Sequence, residues 1–157
     1  MGLLSRLLRR REPAPVVLVD DGTLVLAGRA PDPARADSAV LAEMAEAGVD
    51  LDAPLLVRHH LLLPDAAAVE EARRLLAQDG YDLVTETGAV APPVRVRATR
   101  TQVLTALSAA QERSRMAGLA QRLGGDVAGW DALAPPGRDG GPGARRAAGP
   151  GEAGPPR

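Results

Sequence analysis

The sequence has no cysteine, no phenylalanine and no lysine, and its 157 residues include one Trp, one Tyr and two His. Without cysteine there can be no disulfide framework, thiolate zinc site, thiol nucleophile or C-x-x-C redox pair, and nothing points to an oxidising compartment; the reduced cytoplasm is the expected location. With Tyr81 and Trp130 as the only aromatic side chains, few rings are left for bases to stack on, so base-specific nucleic-acid binding is not expected. All 19 basic residues are Arg, which beside so much Ala, Gly and Pro reads as a coding bias rather than as thermal adaptation. No apolar run reaches the roughly 18 residues of a membrane span. At the N-terminus the leucines of MGLLSRLLRRREP precede the arginines, the reverse of a signal peptide, and Arg6 stands where a myristoylation motif requires Ser or Thr.

What is present is unevenly spread. The net charge is -1, yet residues 32–86 hold twelve acids against four Arg, and residues 87–125 hold six Arg against one acid. Residues 134–157 contain six Pro and seven Gly with no apolar side chain larger than Ala, so burial cannot offset their ordering entropy. The expected organisation is a basic flexible N-terminus (1–14), one α+β domain (15–133, core 55–133) and a disordered tail (134–157).

Within the domain, VVLVD (16–20) and TLVLAG (23–28) flank Asp21-Gly22, which predicts a leading β-hairpin. Asp37 or Ser38 is expected to cap a helix ending near Gly48, and Asp65 a second over 66–79, closed by Gly80. Thr101 is expected to cap a third helix, to about Leu123. Strands are expected at 55–63, stopped by Pro64, and at 81–86, 94–99 and 126–133. From residue 55 the order is βαββαβ, a ferredoxin-like core with the hairpin and first helix added before it.

Adjacent strand residues point to opposite faces, so His59 and His60 cannot readily share a metal ion, and no metal or cofactor site is expected. Leu55, Val57, His59, Leu61 and Leu63 form the face expected under the helices, with His59 read as a core histidine. Arg58 and His60 share the other face with Leu56 and Leu62. If the strands at 55–63 and 94–99 are neighbours, Arg58, His60, Arg95 and Arg97 meet there as a candidate interaction face, unless Asp82, Glu86 or Asp131 neutralises it. Trp130 is expected to anchor the core, sharing its face with Ala128 and Ala132. The serines lie in no G-x-S-x-G setting, and no glycine-rich phosphate loop follows a strand, so no catalytic residue is expected.

Three pieces in order carry a resemblance: the His59-His60 doublet in a strand, Gly80-Tyr81-Asp82 after the next helix, and Gly129-Trp130 in the last strand. Over about 37–133 the chain resembles the RraB family of ribonuclease E inhibitors, the regulators of ribonuclease activity B. The resemblance implies a ferredoxin-like fold and a non-enzymatic, cytoplasmic protein that binds an RNase E-type endoribonuclease and modulates RNA turnover. The chain departs from the best-known members, which are strongly acidic and end in an acidic tail. Two other readings compete: a protein-interaction or self-association module with no RNA link, or an enzyme or small-molecule binder using His60 with Arg58 and Arg95.

Overall fold

The computed structural model of the chain describes residues 14–31, 35–86 and 92–137. Residues 1–13 and 138–157, which include most of the two expected flexible ends, lie outside the described residues. The elements are β1 (Val25–Ala30), α1 (Asp37–Glu46), β2 (Leu55–Leu63), α2 (Ala66–Ala77), β3 (Asp82–Thr85), β4 (Val94–Gln102), α3 (Ala106–Arg122) and β5 (Asp126–Ala134). The sheet runs β1-β5-β2-β4-β3 with every neighbour antiparallel. From β2 onward this is the split βαββαβ arrangement of the ferredoxin-like fold, with β2 and β4 at its centre.

The three helices lie on one side of the sheet, because alternate β2 residues all bury under them. Leu61 and Leu63 pack with Val69, Ala72 and Leu76 of α2 and Met116 and Leu119 of α3. Leu55 and Val57 pack with Val40, Leu41 and Met44 of α1, Ala109 of α3 and Trp130. Each leucine buried this way contributes roughly 1.5–3 kcal/mol of transfer free energy. α1 comes close to β1: a Cβ on Gly28 would meet Met44 Sδ at 2.5 Å.

Several expectations need correction. The hairpin does not form. Its second arm is displaced to Val25–Ala30 and pairs with β5, while residues 14–22 join no strand. β5 offers one free edge, which a single strand fills, and the first arm is instead held on the helix-free side by side-chain bonds. Thr101 does not cap α3. The strand alternation continues through Gln102, and Thr105 caps the helix in a capping box with Ser108. At α1 the N-cap is Ala36, with no side-chain cap; Asp37 is the first helical residue, and its carboxylate accepts from Trp130 Nε1 at 2.7 Å. Asp65 does cap α2, accepting from the Ala68 amide at 2.8 Å.

The parity of β5 also differs from strict alternation. His60 pairs with Gly129 and Leu61 with Val127, so Ala128 is the extra residue of a bulge. Gly129 has φ +103°, a conformation that side chains disfavour. Val127 and Trp130 consequently both pack on the helix side, and Trp130 shares its cluster with Ala132 but not with Ala128.

Candidate functional site

The helix-free side of the sheet reads as rows. In the first, Leu133 of β5 stands beside Leu56 of β2 and Thr101 of β4; in the second, Asp131 beside Arg58 and Thr99; in the third, Gly129 beside His60 and Arg97; in the fourth, Asp126 beside Leu62 and Arg95. The strand register therefore puts all four members of the candidate face, Arg58, His60, Arg95 and Arg97, on this side.

Their charge is largely compensated. Asp131 is fully buried (0% exposed) at the centre. Arg58 Nε donates to its Oδ1 at 2.5 Å, His60 Nε2 lies 2.9 Å from Oδ2, and Arg29 Nη2 approaches Oδ2 to 3.6 Å. Burial pushes the Asp131 carboxyl up, but the hydrogen bonds from His60 and Arg58 outweigh it and leave the group below its ordinary value. Asp20, on the N-terminal segment, takes Arg58 Nη1 at 3.0 Å and Arg97 Nη2 at 3.5 Å. Glu86 Oε1 lies 3.3 Å from His60 Nδ1. Of the three neutralising partners expected from the sequence, Asp131 and Glu86 serve and Asp82 forms no ion pair here among the described residues, while Asp20, expected in a hairpin arm, is a partner the sequence does not reveal.

Arg95 differs from its neighbours. Among the described residues no carboxylate lies within ion-pair distance of it, and it is exposed beside a cavity of about 310 Å³ whose lining includes Arg29, His60, Glu86 and Ala128. Arg58 does not line that cavity, being turned to Asp131 and Asp20. The Arg58, His60 and Arg95 set that a small-molecule site would require is thus split. Among the described residues no group of three or more His, Asp or Glu could hold a metal ion, and no helix is long and apolar enough to cross a membrane.

The three sequence pieces singled out above meet in space. His59 pairs with Trp130 and His60 with Gly129 across β2 and β5. Tyr81 packs on His59 with ring centroids 6.0 Å apart, edge to face. Its hydroxyl donates to Glu112 Oε2 at 2.6 Å, and the Arg100 guanidinium lies 4.4 Å over its ring. Burial first, and the bond to Glu112 second, raise the Tyr81 hydroxyl above its usual range. Gly80 has φ +76° at the end of α2, which glycine adopts without strain. His59, Tyr81 and Trp130 therefore tie helices to sheet, while His60 belongs to the helix-free face. Asp82 sits on the edge strand β3, exposed.

His59 is 3% exposed, and its Nε2 has no hydrogen-bond partner. Burial lowers its pKa from 6.5 to about 4. Above pH 6.5 the imidazole is neutral in folded and unfolded chain alike. Between 6.5 and about 4 only the unfolded chain binds the proton, so stability falls as pH drops through that window, by about 3 kcal/mol in all at 1.36 kcal/mol per unit. His59→Leu should flatten this slope in urea midpoints measured from pH 7 to 4. An unchanged slope would show that His59 is not the group responsible.

Fold and face together define an α+β protein whose helices shield one side of an antiparallel sheet and leave a charged, helix-free side. Residues 34–132 match the family model described as RraB, regulator of ribonuclease activity B, and the chain belongs to that family. No curated protein and no solved structure matches it significantly.

Proposed function

We propose that the chain is a non-catalytic, cytoplasmic regulator that binds an RNase E-type endoribonuclease through the helix-free face of its sheet and so modulates RNA turnover. The observation that carries the reading is the family match across α1 to β5. Arg95 supports the choice of face, as a guanidinium with no carboxylate at ion-pair distance among the described residues. An unpaired cation of this kind favours docking of an acidic surface and makes association sensitive to salt.

The test uses purified chain and purified endoribonuclease. The double variant Arg95→Glu, Arg97→Glu should keep its far-UV circular dichroism and lose no more than a few degrees of Tm, since both side chains leave the sheet away from the core. Its affinity for the nuclease should fall at least tenfold, and wild-type affinity should weaken as salt is raised. Normal binding by a folded double variant would move the interface to the acidic helices, with Glu43, Glu46, Glu70 and Glu71 the next positions to reverse. Self-association has one observation in its favour: among the described residues β1 pairs only with β5, leaving its outer edge open. Sedimentation over a concentration range separates that outcome from a monomer.

A further inference from the structure

We propose that the helix-free face recognises an extended acidic segment of a partner, and that the chain's own residues 14–22 hold that segment's place. The inference rests on the reading of this face as a docking surface and adds what docks there and what must leave first.

Residues 14–22 cross the face without entering the sheet. Of their apolar side chains, Val16, Val17 and Val19 are more than half exposed, and Leu18 alone is half-buried. The polar attachments are few. The Leu18 amide donates to Thr101 Oγ1 at 2.8 Å, and that hydroxyl lies 3.3 Å from the Leu18 carbonyl. Asp20 then reaches Arg58 and Arg97. Leu56 and Leu133, in the same row as Thr101, are buried although they belong to neither helix-side cluster. The segment thus acts as a strap with one backbone anchor at the apolar end of the face and one carboxylate at its charged middle.

The fit of the strap is incomplete. Arg97 Nε is buried with no hydrogen-bond partner, and Asp20 meets only the Nη2 of the same guanidinium, at the long distance of 3.5 Å. A carboxylate approaching side-on would accept from both nitrogens in the bidentate geometry that guanidinium favours. Further along the face, Arg95 offers a second position for an acid, two residues on in β4, beside a cavity lined also by Arg29 and by Glu86, whose carboxylate lies 3.3 Å from His60 Nδ1. An extended peptide places alternate side chains on one face at that repeat. The partner segment that fits is therefore a short extended stretch with two acidic residues at alternate positions. Asp20 stands in the first position, held there by a tether whose effective concentration is of millimolar order.

The experiment uses the full-length chain and a fluorescent peptide with the sequence of residues 14–24 carrying Gly22→Asp, so that acids stand at the alternate positions 20 and 22. Wild-type chain should bind the peptide weakly, because its own strap competes. Asp20→Ala should bind it at least tenfold more tightly, and Asp20→Ala with Arg97→Glu should lose that gain. The same peptide with Asp20→Asn, and with Asn in place of Asp at position 22, should bind none of them tightly. Equal affinity of wild type and Asp20→Ala, or undiminished binding of the Asn peptide, would overturn the proposal. A parallel titration with the endoribonuclease keeps the two readings apart. Peptide gain without nuclease binding leaves the strap proposal standing and removes the nuclease as partner. Nuclease binding that is equal for wild type and Asp20→Ala, without peptide gain, does the reverse.

Discussion

Trp130→Ala should destabilise the chain by about 4 kcal/mol, within the range for emptying a large aromatic site in a core. The ring is 2% exposed and packs with Ala30, Val40, Met44, Val57 and Ala132, so its loss opens a cavity where α1 meets β1, β5 and β2. There is no Phe elsewhere in the chain to share this burial. The variant also removes the 2.7 Å bond from Nε1 to Asp37, although that carboxylate keeps Arg113 at 2.8 Å. Trp130→Phe, which retains most of the apolar volume and loses the hydrogen bond, should cost roughly 1–2 kcal/mol. Urea unfolding followed by far-UV circular dichroism measures both, since the mutations remove the only tryptophan fluorophore. A cost below 1 kcal/mol for Trp130→Ala would show that the ring is not a core anchor.

Asp131→Ala should be comparably severe, about 3–5 kcal/mol, for an electrostatic reason. Removing one partner of a buried ion pair leaves the other desolvated, and that penalty exceeds what the pair itself contributes. Arg58, with a side chain 14% exposed, would keep only Asp20, and His60 would keep only Glu86. The double variant Asp131→Leu, Arg58→Met removes both charges at once and should recover much of the loss. The pH dependence has a definite sign. The folded-state pKa of Asp131 lies below its ordinary value of 3.8, so its contribution is present above that value and is lost as pH falls through the folded pKa. Acid unfolding should therefore come in two parts, the His59 loss between pH 6.5 and 4 and the Asp131 loss below it. If Asp131→Ala unfolded at the same urea concentration as wild type, the cluster would be a surface arrangement and not a buried pair.

Much of this architecture can be read from the sequence, since it rests on periodicity. The apolar, strand-length run LLVRHHLLL before Pro64 and the alternation of VRVRAT set both the faces of β2 and β4 and the side on which Arg58, His60, Arg95 and Arg97 lie. What could not be read depends on where a side chain finds its partner. Asp20 looks like the end of a strand, because nothing local says that Arg58, 38 residues later, and Arg97 will hold it. Thr101 and Thr105 are equally good caps in isolation, and the choice falls to Thr105 because β2 supplies a partner for every residue of β4 through Gln102. Strict alternation puts Ala128 on the Trp130 face, and the structure puts Val127 there instead. The bulge at Ala128 shifts parity, and the only local sign of it is Gly129.

The central claim, regulation of a ribonuclease without catalysis by the chain itself, is tested most directly by the rate at which a purified RNase E-type endoribonuclease cleaves a single-stranded RNA as the chain is titrated in. The account predicts a saturable fall in that rate, abolished by Arg95→Glu with Arg97→Glu, and intact RNA when the chain is incubated with it alone. A cleavage rate that does not depend on the chain at any concentration, or RNA cleaved by the chain in the absence of the nuclease, would contradict it.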